Sequence, residues 1–339
     1  MVSLVWAVIL GWWMAAVLTG LLAGSGVRFA DLVPTLIRGL SSEATDLPAI
    51  VIAEIHLPRV LIAVLGGAAF AAAGLMLQEG LGNPLATPEL LGVAPGAALM
   101  TAGVQTLQLD IPQVFVPALA LIGGLAGGAL VLLASAAARS GQAILLIGAA
   151  VSAALSGLLI AVMSAAEGFQ ARALLRFLSG SLADVAWDQA EPAAWWLLVL
   201  LPVTALSAPT LGVLRLGPAT AAALGINVAR ARLMILLIAT VLVCVVVPVC
   251  GPLAWIGLLS PAIARRCLPR AGSLQLLALS AVTGGALTVS ADVLARSVFN
   301  PIETPLGAWT SGVTVLLAAG APLAGSLMSR CRERQVPAS

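Results

Sequence analysis

Residues 56–99 read HLPRVLIAVLGGAAFAAAGLMLQEGLGNPLATPELLGVAPGAAL. Between Arg59 and Gln78 no residue is charged, and that run approaches the ~20 residues with which a helix crosses a hydrocarbon core of about 30 Å. Its many glycines and alanines suit a membrane helix whose neighbours approach closely. Gly82, Asn83, Pro84 and Pro88 then supply turn chemistry where the run ends. The stretch also holds the single histidine of the chain, His56, three residues before Arg59 at the mouth of the apolar run. It reads as one transmembrane helix entered past a His/Arg pair and left through a proline-stiffened loop.

The rest of the chain repeats this pattern. Of its 339 residues, 61% are hydrophobic and 9% charged, and the mean hydropathy is +1.11, which marks an integral membrane protein. The apolar runs are too long and continuous for barrel strands of about ten alternating residues, so the class is all-α and polytopic. Gly123/Gly127 and Gly124/Gly128 form overlapping small-xxx-small patterns. Seven runs of spanning length fall near 4–24, 59–78, 90–107, 114–138, 143–165, 193–213 and 232–250. Pro252, Pro261, Pro269 and Pro305 divide the last third into shorter pieces near 253–267, 273–295 and 304–327. The expectation is about ten transmembrane helices in a single transmembrane domain over 1–339. The opening MVSLVWAVILGWWMAAVLTGLLAG lacks a positively charged n-region and reads as a retained first helix rather than a signal peptide.

Charge supports ten. With the N-terminus in the cytoplasm, Arg139, Arg215, Arg230, Arg232, Arg265, Arg266, Arg270, Arg330, Arg332 and Arg334 all lie inside, with Glu79, Glu89 and Glu333 the only acids there. The six other arginines share the outside with eleven carboxylates. That is the positive-inside pattern, with both termini cytoplasmic. Removing one of the last three helices would put the Arg265–Arg270 cluster and the arginine-rich tail on opposite sides.

Several functions are excluded. All sixteen basic residues are arginine, so neither a GxxxxGK[ST] phosphate loop nor a Schiff-base lysine can exist. Cys244, Cys250, Cys267 and Cys331 lack CxxC spacing and have one histidine to assist them, so no metal site is expected. A nucleophile with its base nearby is equally missing from the pattern, which argues against an intramembrane enzyme.

Two connections on the outer side are long, 25–58 and 166–192, the latter holding Trp187 and followed by Trp195 and Trp196, all three read as interfacial anchors. On the inner side runs LGVLRLGPATAAALGINVARARL, where Gly217 and Pro218 suit the start of a short helix and Gly225 its end. A helix of two turns is marginal alone in water and needs something to pack on. In the fifth span, Ser152 and Ser156 share one face. Such a stripe could line a pathway or bond to neighbouring helices.

The quoted stretch resembles the opening signature of the permease subunits of iron-siderophore, haem and vitamin B12 ABC importers: RLPR, a Gly/Ala helix, Leu-Gln, NPLA, P-x-LLG and GAAL. Further blocks are similar in the same order: LGPATAAALGINVARARL to the cytoplasmic loop of that family, GPLAWIGLLSPAIAR to its GP-x-x-(F/W)-(I/V)-GL segment, and ADVLARSVFNPIETPLGAWTSGV to its ADLLAR and LP-x-G ending. The resemblance covers the chain nearly end to end. It implies half of a pathway completed by a second permease subunit, identical or related. Two ATP-binding subunits, which carry ATP and Mg, would sit on the cytoplasmic face of the inner membrane, and an extracytoplasmic substrate-binding protein would dock outside. The chain itself would need no cofactor, and no nucleic acid is implied.

Residue by residue, the resemblance assigns binding-protein docking to Arg59, Arg296 and His56, the last standing where the family has another arginine. As a docking contact His56 would be switchable near neutral pH, as arginine is not. Asp292, one turn before Arg296, could instead pair with it. The resemblance assigns the cytoplasmic gate to Asn83, Leu85, Ser140 and Gly141, and pathway lining to Ser152 and Ser156. It assigns coupling to the ATPase to Leu216, Gly217, Pro218, Ala219, Thr220, Ala221, Leu224, Gly225 and Ile226. The chain departs from the family in lacking acidic residues on that coupling loop, which suggests a heteromeric pair, and in Ala262 standing where a histidine is usual. The rival reading is a stand-alone secondary transporter. Such proteins place ionisable residues mid-membrane, whereas Glu79, Asp292 and Glu303 lie near the expected span ends.

Overall fold

A computed structural model describes residues 2–40, 46–135, 141–164, 178–299 and 302–314. Among them every regular element is helical. In chain order they are α1 (Val2–Leu22), α2 (Leu32–Leu40), α3 (Leu47–Leu81), α4 (Val93–Thr106), α5 (Val116–Ala134), α6 (Gly141–Ser164), α7 (Trp187–Ala205), α8 (Ala208–Leu214), α9 (Pro218–Ala223), α10 (Val228–Cys250), α11 (Ile256–Cys267), α12 (Ser273–Ser297) and α13 (306–314).

Each of the ten expected spans contains one of these helices. Six of them are long and apolar enough to cross a membrane unaided, and α7 with α8 forms a seventh span bent by 49°. Pro209 at the start of α8 marks the bend, since it cannot continue the hydrogen-bond ladder of α7. Helices α4 and α11 are shorter than a bilayer is thick, because Gly92 and Trp255 turn the chain with positive φ of 75° and 67° at their starts.

The 25–58 connection is the main departure from the expected topology. It is not a loop but α2 followed by a helix that begins at Leu47 and runs without interruption into the expected span. Pro58 is the reason for the local winding: it has no N–H to donate, and Val51–His56 adopts π-helical geometry ahead of it, with the Leu57 N–H bonded to Ile52 O.

Helix α3 is the axis of the molecule, buried along most of its length and packed on α12, α10, α11 and α7. Its small residues permit this. A methyl group at Gly74 would overlap the Gly257 carbonyl, and one at Gly67 would meet Gly284 and Thr288. The Gly123/Gly127 pattern works the same way, setting α5 backbone to backbone against Gly96 and Gly92 of α4. Phe70, Leu75, Met76 and Leu77 fill the remaining space as fully buried side chains.

Candidate functional site

At the Leu57 end of the bundle, α3, α12 and the segment before α13 bring charges together. Arg59 is 5% exposed. Its Nε donates to Asp292 Oδ1 at 2.9 Å, while Nη1 and Nη2 donate to Glu303 Oε1 and Oε2 at 3.1 and 3.2 Å. One guanidinium thus neutralises a carboxylate that is 1% exposed and a second that reaches the surface. Buried charges persist only when paired in this way. Arg296, one turn after Asp292, lies with Nε 3.5 Å from Asp292 Oδ2 and donates to the carbonyls of Gly20 and Ala23. Those carbonyls belong to the last turn of α1, where helix geometry leaves acceptors unsatisfied. His56 Nδ1 lies 2.8 Å from Leu21 O. A carbonyl can only accept, so this nitrogen carries the proton.

The three expected docking residues therefore stand together, but not as an exposed corner. His56 and Arg59 are buried and Arg296 nearly so. They tie α1 to α3 and α12, and the anticipated Asp292–Arg296 pairing is present beside the stronger Arg59 pair. Sequence reasoning placed His56 at a helix mouth because it read 25–58 as a loop. Trp187 departs from its anchor reading in a similar way, its Nε1 donating to Ala53 O at 2.9 Å.

Between α6, the 82–92 loop and the turn before α11 lies a cavity of about 410 Å³, lined mainly by apolar groups. Ser152 and Ser156 both face it, as do Leu85, Glu89, Trp255 and Leu258. Ser152 Oγ also donates to Glu89 O at 2.6 Å, so the serine stripe both lines the space and bonds across to a neighbour. Among the described residues, Glu89 is the only ionisable group on this lining. Its Oε1 is buried without a hydrogen-bond partner, and burial pushes its carboxyl up to about 7 against partial support from Thr87 and its own N–H. The sequence offered only an acid in a loop; its enclosure depends on α6, 63 residues away in the chain.

At the Leu81 end, Gly82 in the left-handed region closes α3, with the Asn83 N–H reaching back to Gln78 O. Asn83 Oδ1 accepts the Leu85 N–H at 3.0 Å, an Asx turn that presents Leu85, 56% exposed. Gly141 opens α6, while Ser140 lies outside the described residues. The expected short helix is α9. It hangs between Gly217 (φ 98°) and Gly225 (φ 84°), and the Ile226 N–H closes its end on Ala221 O. Ala221 is buried beneath it, whereas Pro218, Ala219, Thr220, Leu216 and Leu224 are exposed.

Comparison with known proteins identifies the family and the fold. The chain is 37% identical over 262 residues to the Fe(3+) dicitrate transport system permease protein FecD of Escherichia coli (strain K12), covering 77% of this chain and 81% of that one. It is 34% identical over 267 residues to the hemin transport system permease protein HmuU of Yersinia pestis, covering 76% and 78%. A solved structure described as an inward-facing conformation of a metal-chelate type ABC transporter superposes with a TM-score of 0.73 at 25% identity, over 96% of this chain and 99% of that one. The family model of the FecCD transport family matches residues 5–319. By that match and these relatives, the chain belongs to the FecCD transport family.

Proposed function

We propose that this chain is the transmembrane permease subunit of an ABC importer, one half of a pathway that admits a ferric siderophore or related iron chelate by alternating access. The observation that carries this reading is α9: an exposed, uncharged two-turn helix hung between two left-handed glycines at the Leu81 end. Apart from the buried Ala221, nothing among the described residues covers this helix, which suits the groove of an ATPase subunit. Membership of a family whose relatives are named as iron-citrate and haem permeases supports the same reading.

In this mechanism the chain performs no chemistry. ATP and Mg are held by two partner ATPases, whose closure moves α9. Nucleotide can shift the permease between states only through its differential affinity for them. The Leu57 end faces outward and receives the binding protein. There Arg59 and Arg296 hold the rim from beneath, and Glu303 reaches the surface. Asn83, Leu85, Ser140 and Gly141 form the inner constriction, and Ser152 and Ser156 line the path above it. Both termini are cytoplasmic in the inner membrane, and a second permease, identical or related, completes the pathway.

The test is uptake in proteoliposomes. The chain with its ATPases and binding protein is expected to import a labelled ferric chelate only when ATP is supplied, and the chain alone is expected to import none. Uptake by the chain alone would establish the secondary transporter instead. Binding of ferric dicitrate, a ferric hydroxamate, haem and cobalamin to the cognate binding protein selects the chelate.

A further inference from the structure

A second buried ionic group lies at the Leu81 end of α3, outside both the proposed pathway and the surface of α9. The Glu79 carboxylate, 9% exposed, accepts from Arg215 Nε at 2.9 Å on Oε2 and faces Arg265 Nη1 at 3.7 Å on Oε1. Arg265 also donates to Gln78 Oε1 at 2.5 Å, and Gln78 Nε2 donates to Gly257 O at 3.0 Å. One residue further, Gly80 O accepts from Arg232 Nε at 3.0 Å.

The chain order of these partners is informative. Arg215 stands just before Leu216 and Gly217, on the arm entering α9, and Arg232 stands in the first turns of α10, on the arm leaving it. Both arms are therefore fastened to one turn of α3, Glu79–Gly80. Two residues later Gly82 turns the chain into Asn83 and Leu85. An arginine–carboxylate contact is directional as well as strong, and here the carboxylate is itself withdrawn from solvent. A displacement of α9 is thus delivered from both sides to the root of the 82–92 loop.

We propose that Glu79 is a positioning residue that transmits movement of α9 to the Asn83–Leu85 constriction. The proposal rests on the importer reading above and adds to it the residue through which ATPase and gate are joined.

The experiment uses the whole complex in proteoliposomes and reads chelate moved per ATP hydrolysed, with whichever of ferric dicitrate, a ferric hydroxamate or haem the wild type carries. Glu79→Gln is expected to assemble and hydrolyse ATP while the transport-to-hydrolysis ratio falls ~10-fold, within the usual range of coupling between sites. Arg215→Gln should give the same fall, and the double variant should be no worse than either single one, as members of one linkage are non-additive. Glu79→Asp should recover part of the ratio. An unchanged ratio in assembled Glu79→Gln overturns the proposal, as does a fall matched by an equal loss of thermal stability. Should Glu79→Gln fail to assemble, the partly exposed Arg215 decides: an unchanged ratio in Arg215→Gln overturns it. A wild-type complex that moves no chelate on ATP defeats the importer reading itself, a result distinct from either of these.

Discussion

Arg59 holds two carboxylates at once, and only one of them can reach water. Replacing it by methionine strands Asp292, 1% exposed, with Arg296 Nε at 3.5 Å as its remaining charged neighbour. Removing one partner of a buried pair costs about 3–5 kcal/mol, so Arg59→Met should lower the unfolding midpoint in detergent markedly. Adding Asp292→Leu should restore most of it, because the uncompensated charge has gone. Glu89 presents the complementary case, a carboxyl with no compensating cation among the described residues that line its cavity. Burial raises its pKa to about 7, so the folded chain binds the proton more tightly than the unfolded chain does. Stability must then fall as pH rises from the ordinary carboxylate range through about 7, and level off above it. Glu89→Gln should flatten that slope in thermal unfolding across this window and leave the variant the more stable at alkaline pH. Neither pairing was legible from sequence. Arg59 is separated from both Asp292 and Glu303 by more than two hundred residues, and one sequence carries no signal that joins them.

The longer helices were legible, since their spans announce themselves by some twenty residues with little or no charge. What hydropathy could not separate is a lipid-facing helix from a central one. Helix α1 and helix α3 are both strongly apolar, yet α1 is largely exposed to its surroundings and α3 is buried on most faces. The distinguishing mark is the density of alanine and glycine in α3, which is a packing signal rather than a hydropathy signal. The 47–56 stretch was missed for the converse reason: Pro48, Glu54, His56 and Pro58 interrupt its apolar pattern, and only the π-helical turn lets the helix continue through them. The packing argument can be tested within α4 alone. A methyl at Gly96 would overlap the Gly123 carbonyl, whereas nothing lies within 4 Å of one at Gly103. Gly96→Ala should destabilise by about 1–3 kcal/mol through overpacking. Gly103→Ala should be neutral or gain up to roughly 1 kcal/mol from helix propensity, both read as shifts in thermal unfolding.

Across the whole molecule, ionic groups mark the Leu57 and Leu81 levels of α3 and an apolar core runs between them. The Leu57 end is locked by His56, Arg59 and Arg296 onto the carbonyls of α1 and the carboxylates of α12 and the α13 segment. The Leu81 end is locked onto the arms of α9 by Glu79, which holds Arg215, and by the Gly80 carbonyl, which holds Arg232. Beyond the Leu81 lock the uncharged α9 is left exposed, and this determines how the proposed ATPase contact must work. Leu224, 62% exposed, sits at the end of α9 with no acid or base on the helix itself, whereas Arg230 lies exposed just beyond it. Contact through Leu224 is packing, which salt does not screen; contact through Arg230 is a rim charge, which salt does screen. Leu224→Ala should therefore weaken permease–ATPase association by roughly tenfold, the effect of a buried anchor lost from an interface, and by the same factor at low and high ionic strength. Arg230→Ala should weaken it only at low ionic strength. Titration of the detergent-solubilised permease with its ATPase at two salt concentrations separates the two: a Leu224→Ala deficit that vanishes in high salt would show that charge, not packing, seats α9 on its partner.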